Sequence, residues 1–380
     1  MLKEAQKPVW NIHEFDKPIL TATYFGFMPV AAPKICEADL EATAHCLKHP
    51  HFDAAEKAAL IRYYAGENLA SLPHPLSLIY KKRGQREPEY SLHFIGAPGG
   101  IAEAALIRAA LSILTEEGHK NLRVDINSIG DKDSVLLYER ELAAYVRKFG
   151  GSLNPALKES LKEDVWNLFR REEEEAIQFR SGAPTSLAFL STQSRLHFKE
   201  VLEYLESMRV DFRLAPELVG EKHHSSHAIF AVRSIGHEEE YTLAVGYRYS
   251  RLTRRLGLRK EIPMAGVTIF SAVKNAAKKV YKQLPKPKFY LVQLGREAKM
   301  RTLSLIESLR ANRIPVHHFL GKDKLAVQLA NAEALNVSHL IIIGHKEALD
   351  GTATIRNIET RAQDTILLEL LPEYLKKISL

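Results

Sequence analysis

The sequence is poor in the features that mark exported proteins, membrane proteins and thiolate metal centres. It has only two cysteines, Cys36 and Cys46, too few for a disulfide framework or a four-thiolate site. The first ten residues include three charged ones, Lys3, Glu4 and Lys7, and no apolar segment follows them. No apolar run in the sequence is long enough to span a membrane. We therefore expect a protein of the reducing cytoplasm, with no membrane partner.

What is present describes an ordinary globular chain. Its 380 residues suffice for two or three domains, and the composition is 26% charged and 46% hydrophobic. Lys and Arg outnumber Asp and Glu by 53 to 46, which gives a net charge of +7. That balance permits a polyanionic partner such as nucleic acid without requiring one.

Three histidines, His223, His224 and His227, fall within five residues. On a helix, His223 and His227 would share a face, and neutral imidazole is a common ligand for zinc or copper. The stretch follows Pro216, however, and runs into the apolar segment Ala228 to Val232. These flanks favour a polar loop entering a buried strand, so we predict no metal.

The first part of the chain reads as strands and helices around a cationic turn. Thr21 to Val30 has the aromatic, apolar character of a strand. Two further strands, Leu76 to Tyr80 and Tyr90 to Ile95, flank the basic turn Lys81 to Arg86. Such a turn suits an anionic ligand, and it also suits a solvated hairpin tip. From Asp131 to Val210 the pattern becomes helical and highly charged.

A linker containing two prolines, 284–288, separates this region from a C-terminal segment in which strands alternate with helices. The alternation predicts a small α/β domain with a mostly parallel sheet, closed by a helix from Arg361 to Ile378. The segment contains no Gly-rich phosphate loop.

The C-terminal segment resembles the anticodon-binding domain of class II aminoacyl-tRNA synthetases, and of histidyl-tRNA synthetases in particular. The matching residues include Leu309-Arg310, Gln328-Leu329-Ala330, Ile341 to Gly344, and Ile355 to Thr360 with Gln363. The resemblance implies that members of this set contact tRNA. The candidates are Arg310, Gln328, Arg356, Asn357, Glu359, Thr360 and Gln363.

Earlier segments are similar to the same family. Tyr24 to Phe27 resembles its dimer-forming motif 1, and Glu56 lies where the family has Arg-Pro-Glu-x-Thr. The resemblance implies an α/β fold, with a class II antiparallel sheet core at 1–127 and 212–283. It further implies a helical insertion at 128–211, a linker at 284–288 and an anticodon-binding-like domain at 289–380. In the family the insertion grips the tRNA acceptor stem, which makes Lys162 and Arg170 further candidate contacts.

The motifs that carry the family's chemistry are altered. In motif 2 the Phe-Arg-x-Glu segment is replaced by Tyr80 to Arg83, so that Lys82 or Arg83 is the remaining cation, and Phe94 stands for a Gln. In motif 3, Arg248 is kept, but Tyr247 replaces a Gly and Val273 replaces the Arg that grips the γ-phosphate.

The histidine-recognition segment, Leu-Val-Arg-Gly-Leu-Asp-Tyr-Tyr, is altered too. Gly220 stands for its Arg, His223 for its Asp, and His224 for a Tyr. Triphosphate binding relies on bidentate arginines, and their loss predicts an inactive site.

Three functions follow from these observations. The first is a non-catalytic, tRNA-binding homodimer that needs no cofactor. The second is a working but diverged ligase that uses ATP and Mg²⁺. The third is a regulatory protein like the synthetase-related subunit of ATP phosphoribosyltransferase. That subunit family generally lacks the C-terminal domain kept here, which makes the third hypothesis the weakest.

Overall fold

The computed structural model describes residues 15–44, 46, 52–67, 69–72, 74–236, 240–270, 281–284, 286–321 and 324–378. Within these ranges no helix is long and apolar enough to cross a membrane. Two β-sheets organise the chain, one of eight strands and one of five.

The larger sheet has the order β1-β2-β3-β8-β7-β6-β4-β5. Its strands are β1 Met28–Pro29, β2 Leu76–Lys81, β3 Glu89–Ile95, β4 Leu122–Ser128, β5 Phe212–Leu214, β6 Ser226–Ile235, β7 Glu240–Arg248 and β8 Met264–Phe270. All pairings are antiparallel except those of the two edge strands, β1 with β2 and β4 with β5. The predicted antiparallel core is confirmed.

Helices cover this sheet. Those before β8 are α1 Lys17–Thr23, α2 Glu37–Ala42, α3 Ala54–Gly66, α4 Ile101–Glu116, α5 Lys132–Phe149, α6 Pro155–Glu163, α7 Glu174–Ser181, α8 Thr192–Ser207 and α9 Ser250–Arg255. Helix α4 lies at the centre, because its Ala-rich surface lets α1, α8 and strands β7 and β8 approach closely. It is buried on nearly every side.

The predicted strand from Thr21 to Val30 is wrong in its first half. Asp16 caps helix α1 by accepting a hydrogen bond from Ile19, and Pro18 lies in the first turn, where its missing N–H is harmless. A turn through Gly26 then leads to the two-residue strand β1. These helix-start signals outweigh the β propensity of the aromatic residues that follow.

The predicted helical stretch is confirmed as α5 to α8, with short 3₁₀ turns between them. Its apolar side chains join the cores of the larger sheet. Phe198 and Val201 of α8 pack in the layer of α4, while Tyr138 and Trp166 join the opposite layer with Ile229 of β6. Helix α8 contacts α4 and β6, whereas α5, α6 and α7 mainly contact the 3₁₀ turns of the stretch itself.

The smaller sheet has the order β10-β9-β11-β12-β13. Its strands are β9 Phe289–Gln293, β10 Val316–His318, β11 His339–Ile343, β12 Thr352–Asn357 and β13 Gln363–Leu367. The helices are α10 Arg296–Ala311, α11 Leu325–Ala334, α12 His345–Asp350 and α13 Leu371–Ile378. Strands β10, β9 and β11 are parallel, and β12 and β13 are antiparallel to their neighbours.

Two predictions about this segment need correction. The sheet is mixed rather than mostly parallel, because the short connection between β12 and β13 allows only a hairpin. The last helix begins at Leu371 and not at Arg361, since Gln363–Leu367 pairs with β12 as an edge strand.

The two sheets are joined through α10, which lies against α4 and α8. Arg310 of α10 donates to Glu307 (2.8 Å) and to Glu116 of α4 (2.7 Å). Ser112 of α4 donates to Glu307 at 2.7 Å. One continuous apolar cluster runs through this contact, with members from both sheets.

Candidate functional site

A buried carboxylate on α3 is the centre of the candidate site. Asp53 caps α3 by accepting a hydrogen bond from the Glu56 N–H at 2.9 Å, which fixes Glu56 in the first turn. The Glu56 carboxylate accepts hydrogen bonds from Tyr80 Oη (2.8 Å) and from Ser91 Oγ. Lys57 Nζ lies 3.2 Å and Lys82 Nζ 3.3 Å from the same group.

A chain of hydrogen bonds leads from Glu56 into the sheet. Tyr80 uses its single hydroxyl hydrogen on Glu56, so its oxygen accepts from His93 Nε2 at 2.9 Å. His93 Nδ1 must then accept from Tyr249 Oη at 2.8 Å. Burial, followed by the charge of Lys57, lowers the pKa of His93 well below its ordinary value. His93 is therefore neutral, and each polar group of this chain has a partner.

Lys82, one of the two cations expected to bind phosphate, is held by the protein's own carboxylates. Its Nζ lies 3.5 Å from Asp53, 3.3 Å from Glu56 and 3.3 Å from Glu89. Burial would lower the pKa of Lys82, but Glu56, Asp53 and Glu89 outweigh it and raise that pKa. With Lys57, the group holds three carboxylates against two ammonium ions, a net charge of −1.

Arg83 and Phe94 lie away from this group. Arg83 is exposed in the turn between β2 and β3. Phe94 points to the α4 side of the sheet, where it packs edge-on against Phe27 with ring centroids 6.3 Å apart. Successive residues of a strand face opposite sides, so β3 presents Ser91 and His93 to the site instead of Phe94.

Arg248, at the end of β7, lies on the α4 face of the sheet in register with Phe94, and it is also neutralised internally. It donates to both oxygens of Glu103 (2.8 and 2.7 Å) and to the carbonyls of Ala97 (2.9 Å) and Gly99 (3.1 Å). Its side chain is 3% exposed. Burial would raise the pKa of Glu103, but Arg248 overcomes this effect and the pKa falls to about 2. Through these hydrogen bonds Arg248 connects the end of β7 to the start of α4.

An aromatic cluster fills the space beside Lys57. The ring of Tyr247 is buried, with its centroid 5.0 Å from that of Phe52 and 5.5 Å from that of His224. Lys57 Nζ lies 6.0 Å from the centre of the Tyr247 ring, within cation–π range. The tyrosine that replaces a family glycine therefore occupies volume in the middle of the site.

The histidine-rich stretch is a turn followed by a strand, as predicted, since β6 begins at Ser226. His224 is fully buried and His223 is half-buried. His227 lies at a β-bulge with φ +54°, and its ring lies 4.7 Å from that of His197. Within the described ranges, no three His, Cys, Asp or Glu side chains are arranged to hold a metal ion.

Gly220 has no room for a side chain. A Cβ there would lie 2.7 Å from Ser225 Oγ and 2.8 Å from Ile229 Cδ1. The Ser225 hydroxyl is held in place because it accepts a hydrogen bond from the Glu221 N–H at 3.1 Å. An arginine, the residue expected from the family at this position, is incompatible with this packing.

The loop before β6 is tied to the helical stretch. Arg170 lies 3.2 Å from Asp164 and 3.5 Å from Glu221, and Lys222 lies 3.0 Å from the same Asp164. Lys162, in contrast, is exposed and pairs with Glu159 at 3.1 Å. Contact of Lys162 or Arg170 with an acceptor stem stays a prediction. Val273 lies outside the described residues.

The C-terminal candidates separate into two groups. Arg310 is in the contact with α4, and Gln328 is buried, where its amide bonds the backbone of Gln293 at 3.1 and 2.8 Å. The other candidates lie in and beside the exposed turn between β12 and β13: Arg356, Asn357, Glu359, Thr360 and Gln363. Asn357 Oδ1 organises that turn by accepting from the N–H groups of Glu359 and Thr360, both at 2.9 Å.

Sequence reasoning did not identify Lys57, Tyr80, Ser91, His93 and Tyr249 as parts of the site. For β3 a signal existed: Tyr90, Leu92 and Phe94 alternate with Ser91 and His93 in a strand buried on both faces. Polar residues on one face of such a strand require partners. No comparable pattern marks Lys57.

The C-terminal residues 288–378 match the family model of the anticodon binding domain. A histidine–tRNA ligase of Rippkaea orientalis is 25% identical over 280 residues, which are 73% of this chain and 65% of that relative. The ligase of Listeria monocytogenes is 24% identical over 327 residues, 81% of this chain and 77% of the relative. The chain thus spans slightly less than two-thirds of the first relative's length.

The fold is also similar to that of the S. aureus histidyl-tRNA synthetase in its apo form. The TM-score is 0.51 at 20% identity, and the match covers 93% of this chain and 92% of that chain. The C-terminal residues 288–378 thus belong to the anticodon binding domain family. The chain as a whole is similar in sequence to histidine–tRNA ligases and in fold to a histidyl-tRNA synthetase.

Proposed function

We propose that this protein is a tRNA-binding paralogue of histidyl-tRNA synthetase that does not catalyse aminoacylation. The observation that carries the proposal is the internal neutralisation of its site cations. Lys82 is surrounded by Asp53, Glu56 and Glu89, and Arg248 is bound to Glu103.

Amino acid activation requires cations that are free to bind the triphosphate. A triphosphate must be neutralised by Arg, Lys or a metal ion, and the transferring group must be held in line. If Lys82 left its contacts to bind a phosphate, Asp53, Glu56 and Glu89 would lose one of the two ammonium groups that balance their charge. Freeing Arg248 would leave Glu103 as a buried, unpaired charge, which costs about 3–5 kcal/mol.

The amino acid side of the site supports the same proposal. Tyr247 and Phe52 fill the space beside Glu56, and Gly220 cannot be replaced by a larger residue without moving Ser225 and Ile229. The groups that would recognise histidine are therefore replaced by the protein's own packing.

Retention of RNA binding is supported by the C-terminal domain, of which residues 288–378 match the anticodon binding domain. Its turn at 357–363 presents exposed polar side chains. A mobility-shift titration with total tRNA tests this part of the proposal. Retention at low salt that weakens as salt rises is expected, and no retention at low salt would refute it.

A diverged but working ligase is the second candidate, because the curated relatives are named histidine–tRNA ligases. ATP–pyrophosphate exchange distinguishes the two. We expect no exchange above background with any of the amino acids, and exchange stimulated by one of them would favour the ligase. A homodimer stays a prediction that light scattering can test.

A further inference from the structure

A cationic groove lies at one end of the smaller sheet. It has a volume of about 430 Å³ and is formed by the segment before β9, the turn between α10 and β10, and the last turn of α13. Five of its lining residues are basic, and no residue that lines it is Asp or Glu. The basic residues are Lys286, Lys288, Arg313, Lys376 and Lys377.

The groove has a defined shape. Lys376 Nζ donates to Asn312 Oδ1 at 2.8 Å, which joins α13 to the turn after α10. Arg313 is held in the left-handed region, with φ +60°, by hydrogen bonds that close the end of α10. Phe289 and Ile314 form a buried floor beneath these side chains.

Helix dipoles account for only part of this charge. The C-terminal ends of α10 and α13 both face the groove, and each is equivalent to roughly −0.5 elementary charge. Lys286, Arg313, Lys376 and Lys377 alone leave an excess of about +3 over the two helix ends, which is more than those ends need. The volume also exceeds what a single ion requires, since a water molecule occupies about 30 Å³ in the liquid.

The groove is continuous with the turn that we expect to contact tRNA. The Lys288 carbonyl accepts from the Ser338 N–H at 2.9 Å, and the Ser338 carbonyl accepts from the Ile358 N–H at 3.0 Å. From β9 to β12 the distance is two strand spacings, or about 10 Å. Phosphates of an RNA strand bound at the turn can therefore reach the groove.

We propose that this groove binds the sugar-phosphate backbone of the RNA whose bases contact the turn at 357–363. The inference rests on the proposed tRNA binding and adds a second surface to it. RNA fits better than a membrane, because Phe289 and Ile314 are buried and the other apolar lining residue, Pro315, is only partly exposed. Phosphate contacts position the RNA, while the turn supplies any base selectivity.

The test uses the full chain and total tRNA, with binding measured by fluorescence anisotropy at several salt concentrations. The groove variant is Lys286→Gln, Arg313→Gln and Lys377→Gln combined. The control variant is Lys34→Gln, Lys120→Gln and Arg209→Gln, which removes the same charges from exposed positions. Arg209 also matches Arg313 in backbone conformation, with φ +52°.

Each lost phosphate contact reduces the slope of log K against log salt by about 0.7–0.9. We expect the groove variant to reduce that slope by roughly 2–3 and the control to leave it near the parent value. Equal slopes for the parent and both variants would refute RNA binding by the groove and leave the proposal of tRNA binding intact. Absence of binding by the parent at low salt would overturn both proposals. Matching thermal unfolding curves show that the variants fold.

Discussion

At the scale of single residues, the charged partners of Glu56 are the protein's own lysines. A carboxylate at the start of a helix, beneath a strand hairpin, is well placed to hold an ammonium group of a ligand. In this chain Lys57 and Lys82 provide that ammonium charge internally. Burial would raise the pKa of Glu56, but these two lysines lower it below its ordinary value. The carboxylate is therefore charged and fully engaged.

Replacing Glu56 with Gln tests how much the structure depends on this group. Glutamine can still accept from Tyr80 and Ser91, but Lys57 then loses its one ion-pair partner within the described residues. We expect Glu56→Gln to lower the free energy of unfolding by about 3–5 kcal/mol, measured by urea denaturation.

The control is Glu87→Gln at an exposed position, where a change within about 0.5 kcal/mol is expected. Adding Lys57→Met to Glu56→Gln removes the uncompensated ammonium, so the double variant is expected to be more stable than Glu56→Gln alone. If Glu56→Gln and Glu87→Gln had the same effect, the buried ion pair would have no structural role.

At the scale of elements, the loop 218–225 shows why this site differs from its relatives. The loop is fixed between β6, through Ser225 and Ile229, and the helical stretch, through Arg170 and Lys222. A loop held on both sides cannot open for a ligand without breaking these contacts.

Gly220→Ala probes that packing. The new Cβ would lie within 2.8 Å of Ser225 and Ile229, so overpacking is expected to lower the free energy of unfolding by about 1–3 kcal/mol. Gly151→Ala is the matched control, because no atom lies within 4 Å of a Cβ at that position. A Gly220→Ala protein as stable as the Gly151→Ala protein would show that the loop is loosely packed.

Elements with strong periodicity were predictable from the sequence, and those set by pairing were not. The helical stretch α5 to α8 and the strand after the histidines follow from local pattern. The sequence predicts the last helix from Arg361, ten residues before its start at Leu371, because the segment Gln363–Leu367 is short and mostly polar and has no alternation that marks a strand. Pairing with β12 makes this segment a strand, and such pairing is not visible in the local sequence.

The site was predictable only in part. Resemblance located Glu56, Lys82, Gly220 and Arg248, and it indicated that their surroundings had changed. It did not show which side chains replaced the missing groups, since the contact of Lys57 with Tyr247 joins α3 to β7 across nearly two hundred residues. The resemblance points to Phe94 and not to His93, because it follows position along the chain and does not show which face of β3 a side chain occupies.

At the scale of the whole molecule, buried histidines make the fold sensitive to acid. Burial lowers the pKa of His227 and of His318 to about 4, and it lowers the pKa of His93 well below its ordinary value. Their pKa values in the folded chain lie below the unfolded value of about 6.5. The stability that they contribute is thus present above pH 6.5 and is lost as pH falls towards 4.

We expect the free energy of unfolding to decrease between pH 6.5 and 4.5, by about 1.4 kcal/mol per pH unit for each histidine that stays neutral when folded. Urea denaturation at half-unit pH steps measures this slope. Carboxylates such as Glu103, with a pKa of about 2, add their effect only below about pH 5. A constant free energy from pH 7.5 to 5 would contradict the neutral, buried state of these histidines.

The two sheets carry different features. The smaller one has an exposed polar turn and a cationic groove, while in the larger one Tyr247 lies against Lys57, and Lys82 and Arg248 are bound to carboxylates of the chain. This contrast supports the proposal that the protein holds RNA without activating an amino acid.

Calorimetric titration of the full chain with ATP and Mg²⁺ tests the central claim most directly, because every catalytic hypothesis requires ATP to bind. The same preparation must first bind tRNA, which shows that it is folded and functional. We predict no saturable heat of ATP binding at concentrations up to the millimolar range. Saturable binding that becomes tighter in the presence of an amino acid would contradict the claim and identify a working ligase.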